Sequence, residues 1–432
     1  MPTILGFAAL FLLATDALNM DLSLMPGVSA KNLIIYLVAV VLALRMVISR
    51  SSVMAASQMQ GAFIIQIGYA ILTWLIAALV IRYPYYDLAS TGIKLKSGLI
   101  DHYIFFLVFL FGVQSSEDAL KVIKGLLFGA LLANLITILD AAGVVSLGFR
   151  IREDGRTAGA IGESNQYAAF IILFLPATIA AAAASRGFGR LFWLGATLVG
   201  CMTLVMTASR GGFVGLAMMC AVGAYLYRHL MSYSRVAGWV FGSLILLVLF
   251  VSFSHYGNLL AERMIGTGSI DANTASSGRS DIWAEALSVM FTHPITFITG
   301  FGWDAYTHMP FQFSPHNHYL GLWFNLGLVG LFCGTYLLFS AIGRARRASL
   351  QAPSQYRGQL IAFVLGTVGV VTAVFFVDLH KPWFYFWMYA GVAMRLVLCA
   401  EHDPVKEVAR SRVKRPAPQR DPFGWTQPES RT

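Results

Sequence analysis

Charged side chains are scarce in this sequence. Asp, Glu, Lys and Arg make up 12% of its 432 residues, whereas soluble proteins average roughly 25%. Hydrophobic residues account for 57% of the chain, and the mean hydropathy is +0.68. This composition excludes an ordinary water-soluble domain. It predicts an all-α polytopic membrane protein.

Cysteine is also rare, and no cysteine has a partner close by in the sequence. The four cysteines lie in hydrophobic stretches and form no Cys-x-x-Cys pair: Cys201, Cys220, Cys333 and Cys399. We interpret them as small apolar side chains and expect no disulfide. No cluster of histidines and carboxylates stands out either, so we expect neither a metal nor a cofactor.

Hydrophobic stretches that are long enough to cross a bilayer, or nearly so, occur about twelve times. They lie at about 3–16, 33–49, 62–81, 98–114, 122–141, 166–184, 190–208, 211–228, 236–254, 317–342, 359–377 and 383–400. The first stretch is short and lacks a basic leader or a cleavage site, so we expect an uncleaved span. We predict a transmembrane domain over 1–400 and a basic, proline-rich, disordered tail over 401–432.

The lysines and arginines predict the orientation of the chain. Twelve spans place both termini on one side, and most of the 31 Lys and Arg lie in the tail or in loops on that side. Because positive charge accumulates in cytoplasmic loops, both termini are predicted to be cytoplasmic. The long polar segment at about 255–316 then becomes a periplasmic loop containing short amphipathic helices. The same rule explains the net charge of +10 without a nucleic-acid partner.

Several arginines oppose this rule because they fall in the predicted periplasmic loops: Arg150, Arg152, Arg156, Arg210, Arg263 and Arg279. Some of them can pair with acidic neighbours. Arg210 has none close in sequence, and the two glycines after it permit a sharp turn and close approach of a ligand. A guanidinium at membrane depth needs a partner, and a phosphate suits it. These loops therefore predict an anion pocket.

Arg279 begins a second pattern in the long loop. The residues from Arg279 to about Phe291 predict an amphipathic helix on the membrane surface, with Trp283 on its apolar face. In this interpretation Arg279 joins the anion pocket. An ion pair of Arg279 with Asp281 or Glu285 is the alternative.

A histidine pair stands where the long loop meets the next hydrophobic stretch. Ser314 is expected to cap this helix and Pro315 to occupy its first position. His316 would then lie in the first turn, where the helix dipole disfavours imidazolium and attracts anions. This position predicts a general base, although a histidine that merely hydrogen-bonds the loop fits as well. Asn165 is likewise expected to be the N-cap of its span.

Four motifs, in order along the chain, resemble the bacterial O-antigen ligase and Wzy-type polysaccharide polymerase superfamily. The motifs are Arg156 with Asn165, the turn Ser209-Arg210-Gly211-Gly212, Gly278-Arg279 with Trp283, and His316-Asn317 followed after nine residues by Gly327-Leu328-Val329-Gly330. The resemblance covers roughly residues 150–335. Each motif is loose by itself, but their shared order on a protein with about twelve spans is specific.

The resemblance implies a metal-independent glycosyltransferase of the bacterial inner membrane. Its donor would be a glycan linked through a diphosphate to a polyprenyl lipid, presented on the periplasmic face. Arg210, Arg279 and Arg156 would bind the diphosphate, and His316 would deprotonate the acceptor hydroxyl in an inverting transfer. The supporting residues would be Asn317, His318, Asn165 and Trp283. A flippase and a chain-length regulator are possible partners of such an enzyme.

The acceptor stays open at this point. A polymerase would extend another lipid-linked glycan, a ligase would use lipid A–core, and some related proteins use a protein acceptor; we favour a polymerase. The alternative from another class is a transporter of a small anion such as bicarbonate. A transporter is expected to carry polar residues at the bilayer midplane, often in broken helices, whereas the arginines here lie at one face. A non-catalytic assembly subunit is the third possibility.

Overall fold

The structure, a computed structural model, describes residues 2–20, 22–49, 57–147, 156–161, 163–230, 278–311 and 314–402. Several features predicted above lie outside these ranges: the span at 236–254, Arg150, Arg152, Arg263, and the tail beyond His402.

Within the described ranges the chain is almost wholly helical, as predicted. In chain order the longer elements are α1 (Pro2–Ala17), α2 (Ala30–Ser49), α3 (Ser57–Ile76), α4 (Leu88–Leu95), α5 (Asp101–Gly112), α6 (Ser116–Ala141), α7 (Ser164–Ala184), α8 (Gly187–Thr207), α9 (Arg210–Tyr227), α10 (Arg279–Thr292), α11 (Thr296–Thr299), α12 (His318–Gln351), α13 (Ser354–Ala373) and α14 (Lys381–His402). π-helical turns extend α3 over Ala77–Ile81 and join α4 to α5 over Lys96–Ile100. Short 3-10 turns lie at Gly159–Ile161, Arg228–Leu230 and Ala305–His308.

A short hairpin is the one departure from an all-α fold among the described residues. Strand β1 (Ser23–Met25) pairs antiparallel with β2 (Val28–Ser29) between α1 and α2. Gly27, with φ of +76°, lies in the turn, a conformation that glycine adopts without steric cost.

The predicted spans agree with the helices wherever the structure describes them. Helices cover eleven of the twelve stretches. Nine helices of the described part are long and apolar enough to cross a membrane, and α1, with 16 residues, is shorter. The protein is therefore an α-helical, multi-pass membrane protein, and the count of twelve stays a prediction.

Two spans are longer than the hydropathy pattern predicts. The stretch at 98–114 is the second half of a 25-residue helical segment, Leu88–Gly112. Helix α12 has 34 residues, which is about 50 Å at 1.5 Å per residue, whereas the hydrocarbon core is about 30 Å thick. The end of α12 that carries Arg344, Arg346 and Arg347 therefore extends beyond the apolar layer.

Close contacts of small residues hold the bundle together. A Cβ atom on Gly125 of α6 would lie 2.6 Å from the carbonyl oxygen of Gly6 in α1, and a Cβ on Gly391 of α14 would lie 2.6 Å from that of Phe106 in α5. Inside a membrane, helices associate mainly by such close packing, because moving an apolar side chain from lipid into a helix interface gains little free energy. Glycine lets these backbones approach.

Helices α7 and α14 form the centre of the bundle. Phe170 and Phe174 of α7 stack or pack edge-on against Tyr385 and Tyr389 of α14, with ring centroids 5.6 and 5.5 Å apart. Helix α13 packs on α7 and α9, and α5 packs on α14. The residues between α13 and α14 contact the starts of α7, α9 and α12 by hydrogen bonds and close packing, and they lead directly into α14. The N-termini of these four helices therefore meet at one end of the bundle.

Candidate active site

The segment 314–317, called here the His316 segment, does not begin the helix as predicted. Asn317 is the N-cap of α12, and its side-chain oxygen accepts hydrogen bonds from the amides of Tyr319 and Leu320, both at 3.1 Å. His316 lies outside the helix with φ of +46°. Asparagine is among the strongest N-caps, and Ser314 is engaged elsewhere, so the helix starts three residues later than predicted.

This correction changes the environment of both histidines. His316 is half-buried just before the cap, in the left-handed region that few non-glycine residues adopt. His318 is the first residue of α12, and its amide donates to the carbonyl of Val374 at 2.9 Å. The His318 ring packs on Trp383, with centroids 4.9 Å apart. His318 is thus held in place by Val374 and Trp383, and its supporting role stays a prediction.

Asp378 is a residue that the sequence analysis missed. Its carboxylate accepts a hydrogen bond from the Ser314 hydroxyl at 2.7 Å, and it interacts electrostatically with His318. Asp378 lies on the connection between α13 and α14, 64 residues from Ser314, so no local pattern could join them. His318 therefore has a carboxylate near it that is distant in the sequence.

Trp283 links the helix of Arg279 to the His316 segment. Helix α10 begins at Arg279, as predicted, and buries Ala286 and Met290. The indole nitrogen of Trp283 donates to the carbonyl of Pro315 at 2.8 Å. Arg279 and Trp283 are four residues apart and therefore lie on the same face of α10. Arg279 lies one turn before the contact of Trp283 with Pro315.

Tyr306 adds a polar group beside the same segment. Its ring stacks on Phe311 and packs edge-on against Phe324, with centroids 4.4 and 5.1 Å away. Burial raises the pKa of Tyr306 to about 12, and the carboxylates of Glu285 and Asp378 act in the same direction. Tyr306 consequently keeps its proton at neutral pH and can act as a hydrogen-bond donor.

A second group of residues surrounds Asn165. Arg156 is buried, and its guanidinium donates to the carbonyl of Thr207 and to the side-chain oxygen of Asn165, both at 2.9 Å. The same oxygen accepts from the Ser209 hydroxyl at 2.9 Å. Two predicted site residues, Arg156 and Asn165, are thus brought into direct contact with the turn that carries Arg210.

Asn165 is not the N-cap that the sequence predicted. Glu163 caps α7 by accepting from the amides of Asn165 and Gln166, at 3.3 and 2.9 Å. A carboxylate suits this position because it satisfies free amides and complements the helix dipole. The side chain of Asn165 is therefore left to bond Arg156 and Ser209.

The turn at Arg210 confirms the predicted sharp bend. Ala208 ends α8 with φ of +44°, and Ser209 caps α9 by accepting from the amide of Gly212 at 3.1 Å. A Cβ on Gly211 would lie 2.8 Å from Cβ of Phe376, and one on Gly212 would lie 2.7 Å from Cβ of Ala168. Both glycines allow close packing, and Arg210 is the first residue of α9.

The 374–380 linker, which joins α13 to α14, connects the two groups. Val374 and Asp378 bond the residues around His316, as described above. Phe376 packs on Gly211, and the amide of His380 donates to the side chain of Gln166 at 3.0 Å. The histidines, Asn165 and the Arg210 turn therefore border one linker of seven residues.

Arginines stand at or beside the N-termini of three helices in this region. Arg210 and Arg279 are the first residues of α9 and α10, and Arg156 contacts Asn165 in the first turn of α7. Helix N-termini carry partial positive charge, so basic residues there add to a field that already attracts anions. Among the described residues, no group of three or more His, Cys, Asp or Glu could hold a metal ion.

Residues 195–334 match the family model described as O-antigen ligase. This stretch, called here the O-antigen ligase segment, is similar to that family. The resemblance predicted from the motifs is confirmed there, and it implies a glycosyltransferase-like activity with a lipid-linked glycan donor and a glycan acceptor. No curated protein matches the chain.

The O-antigen ligase segment supplies only part of the region around the linker. It contains Arg210, Arg279 and the histidine pair. Arg156, Asn165 and the 374–380 linker come from before and after it. The helices outside the segment thus complete the candidate site in space.

The glycines of the O-antigen ligase segment have a structural explanation. Gly327 interrupts α12 with φ of +59° and ψ of −155°. It packs directly against Ile298 and Gly300, and the amides of Phe301 and Gly302 donate to the carbonyls of Phe324 and Asn325, both at 2.9 Å. Phe301 stacks on Phe324, with ring centroids 4.5 Å apart. Gly327 therefore joins α12 to α11.

Proposed function

We propose that this protein is a membrane glycosyltransferase that moves a glycan from a polyprenyl diphosphate to an acceptor hydroxyl on the periplasmic face. The observation that carries the proposal is the 374–380 linker, which brings the Arg156–Asn165–Ser209 network beside the His316 segment. An anion-attracting group and a proton acceptor at one place are what this reaction requires.

The arginines are assigned to the diphosphate. Arg156 and Arg210 lie at the starts of α7 and α9, and Arg279 starts α10, which Trp283 fastens to Pro315. A guanidinium can bind a phosphate through two parallel hydrogen bonds. Charge grows on the leaving diphosphate as the glycosidic bond breaks, so donors placed in advance lower the barrier.

His316 is assigned as the general base. The acceptor oxygen attacks the anomeric carbon from the face opposite the diphosphate, and the bond from that carbon to the phosphate oxygen breaks. The lipid diphosphate leaves with the electron pair, and the Nε2 or Nδ1 atom of His316 takes the hydroxyl proton. The configuration at the anomeric carbon is inverted.

Asp378 is assigned as a positioning residue. It holds Ser314 by a hydrogen bond and acts electrostatically on His318. By holding Ser314, two residues before His316, the Asp378 carboxylate fixes the segment that carries the proposed base. Tyr306, which keeps its proton, lies within the field of the same carboxylate.

A direct test uses the purified protein in nanodiscs with an undecaprenyl-diphosphate oligosaccharide, with and without lipid A–core. Longer lipid-linked glycans identify a polymerase, which we favour, and glycosylated lipid A–core identifies a ligase. Absence of any new glycosidic bond under both conditions contradicts the proposal.

A further inference from the structure

A cavity with both polar and apolar walls lies at the same end of the bundle, outside the O-antigen ligase segment. Its volume is about 430 Å³, and it is bordered by α1, α2, α5, α14 and the short β hairpin. The residues that line it include Asp16, Ser23, Ser29, Lys31, Lys381 and Phe384. A volume of this order accommodates a ligand of several rings.

The cavity wall carries a preformed network of polar side chains. Asp16 forms an ion pair with Lys31 and accepts a hydrogen bond from the Tyr385 hydroxyl. Lys31 and Asp16 are largely buried, with side-chain exposures of 18% and 12%. The charges of Lys31 and Asp16 are paired with each other, and Lys381 adds a positive charge at the rim, so the wall offers hydrogen bonds as well as a cation.

Aromatic rings complete the cavity beside this network. Phe105, Phe384 and Tyr385 line it, together with the hydroxyls of Ser23 and Ser29. Sugars present hydroxyl groups along their edges and C–H groups on their faces, so mixed polar and aromatic walls suit them. Among the described residues that line the cavity none is an arginine, unlike the region assigned to the diphosphate.

The cavity adjoins the histidine side of the candidate active site. The ring of Phe384 packs edge-on against His102, with centroids 4.7 Å apart, and His102 interacts electrostatically with His318. Lys381, on the cavity rim, directly follows His380 of the 374–380 linker. The hydroxyl that loses its proton must reach His316, so a ligand in this cavity approaches from the side of the base.

We propose that this cavity binds the acceptor glycan, as a hydroxyl-rich oligosaccharide, separately from the diphosphate. That the bound glycan is the acceptor rests on the function proposed above. Binding of an oligosaccharide in the cavity does not depend on that function. Every lining residue lies outside 195–334. Acceptor recognition is thereby assigned to α1, α2 and α14.

The test fills the cavity with a large side chain. Ser23→Trp and Met20→Trp each place an indole at an exposed lining position, and Met25→Trp is the matched control on the same hairpin, at an exposed residue that does not line the cavity. The full-length variants are compared in detergent by microscale thermophoresis. One probe is the delipidated oligosaccharide of the source organism's surface glycan, and the other is undecaprenyl diphosphate without sugar.

We expect both cavity variants to raise the Kd for the oligosaccharide by about tenfold, which corresponds to about 1.4 kcal/mol, and to leave the Kd for undecaprenyl diphosphate unchanged. Met25→Trp should bind both probes like the wild type. In turnover assays, the KM for the acceptor should rise while the KM for the donor and kcat stay the same. Normal elution in size-exclusion chromatography checks that the variants are folded.

Three results overturn the inference. They are unchanged oligosaccharide binding in both cavity variants, weaker binding of undecaprenyl diphosphate in its place, and a higher KM for the donor only. A wild-type protein that binds the oligosaccharide but forms no glycosidic bond refutes the transferase proposal, and leaves the cavity as a glycan-binding site.

Discussion

At the scale of single residues, the caps decide what the candidate site side chains can do. Asn317 takes the cap of α12, which leaves His316 outside the helix, and Glu163 takes the cap of α7, which frees Asn165 to bond Arg156 and Ser209. In both cases the predicted capping side chain bonds a partner distant in the chain, Asp378 for Ser314 and Ser209 for Asn165, and a neighbouring residue caps the helix. The side chains of His316 and Asn165, which we assign to the site, therefore do not cap the helices.

Replacement of His316 tests the proposed base. We expect His316→Ala to lower kcat by about 10²–10⁴-fold, the usual contribution of a general base, and to leave the Kd for undecaprenyl diphosphate unchanged. His318→Ala should have the smaller effect on kcat, because its ring packs on Trp383. Turnover and lipid binding are measured for both variants in nanodiscs. Normal turnover of His316→Ala together with an inactive His318→Ala would show that the base is misassigned.

Replacement of Arg210 tests the proposed diphosphate site. Arg210→Ala should weaken binding of undecaprenyl diphosphate by about 10–100-fold, which corresponds to a lost charge-assisted hydrogen bond of about 1.5–3 kcal/mol. Arg210→Lys should restore little, since an ammonium group lacks the two-pronged geometry of a guanidinium. Arg190→Ala is the matched control, because Arg190 is an exposed arginine near the start of α8. Wild-type binding by both Arg210 variants is incompatible with the assignment.

At the scale of elements, backbone packing fixes the start of α12 relative to α11. Gly327 has φ of +59° and touches the backbone of Ile298 and Gly300, so a side chain has neither a favourable conformation nor space there. This contact sets where Phe324 and Tyr306 lie, and through them the surroundings of the His316 segment.

We expect Gly327→Ala to lower the thermal stability of the protein in detergent by several degrees. The backbone of Gly327, with φ of +59° and ψ of −155°, has a conformation that essentially only glycine adopts and that costs other residues about 1–3 kcal/mol. The overlap of the new Cβ with the Ile298 carbonyl adds to this cost. Gly343→Ala in the same helix is the control, because a Cβ there meets nothing within 4 Å. The Tm values come from fluorescence-detected size-exclusion chromatography after heating. Equal Tm values for the two variants would contradict this account of the kink.

At the scale of the whole molecule, the alternating helices gather the candidate site at one end. The starts of α7, α9, α12 and α14 meet there, while the turn between α12 and α13 lies at the other end of α12. The excess of lysine and arginine on the side of that turn predicts that it is cytoplasmic. The candidate site and the acceptor cavity then face the periplasm.

Single cysteines test this orientation in intact cells. Ser288→Cys, at an exposed position of α10, should react with a membrane-impermeant maleimide, and Leu350→Cys, near the end of α12, should react only after the membrane is permeabilised. The wild type is the control, because its four cysteines lie in helices and form no disulfide. The opposite labelling pattern would place the proposed site in the cytoplasm, where the periplasmic mechanism could not operate.

The sequence by itself determined the class of the protein, most of its helices and its family resemblance. Long apolar stretches must become helices in a bilayer, since every backbone amide needs a partner within the chain. The turn at Arg210 and the helix at Arg279 are likewise local, because each depends on a few adjacent residues. Hydropathy could not give the full length of α12, whose last turns carry arginines beyond the apolar layer.

Only the tertiary structure decided which residues stand together. Asp378 reaches Ser314, His380 reaches Gln166, and the cavity joins Asp16 and Lys31 to Lys381. These partners are distant in the chain and share no periodic pattern, so their contacts follow from the order in which helices pack. Competition between possible caps was also settled in space, because Ser314 bonds Asp378 and thereby leaves the cap of α12 to Asn317.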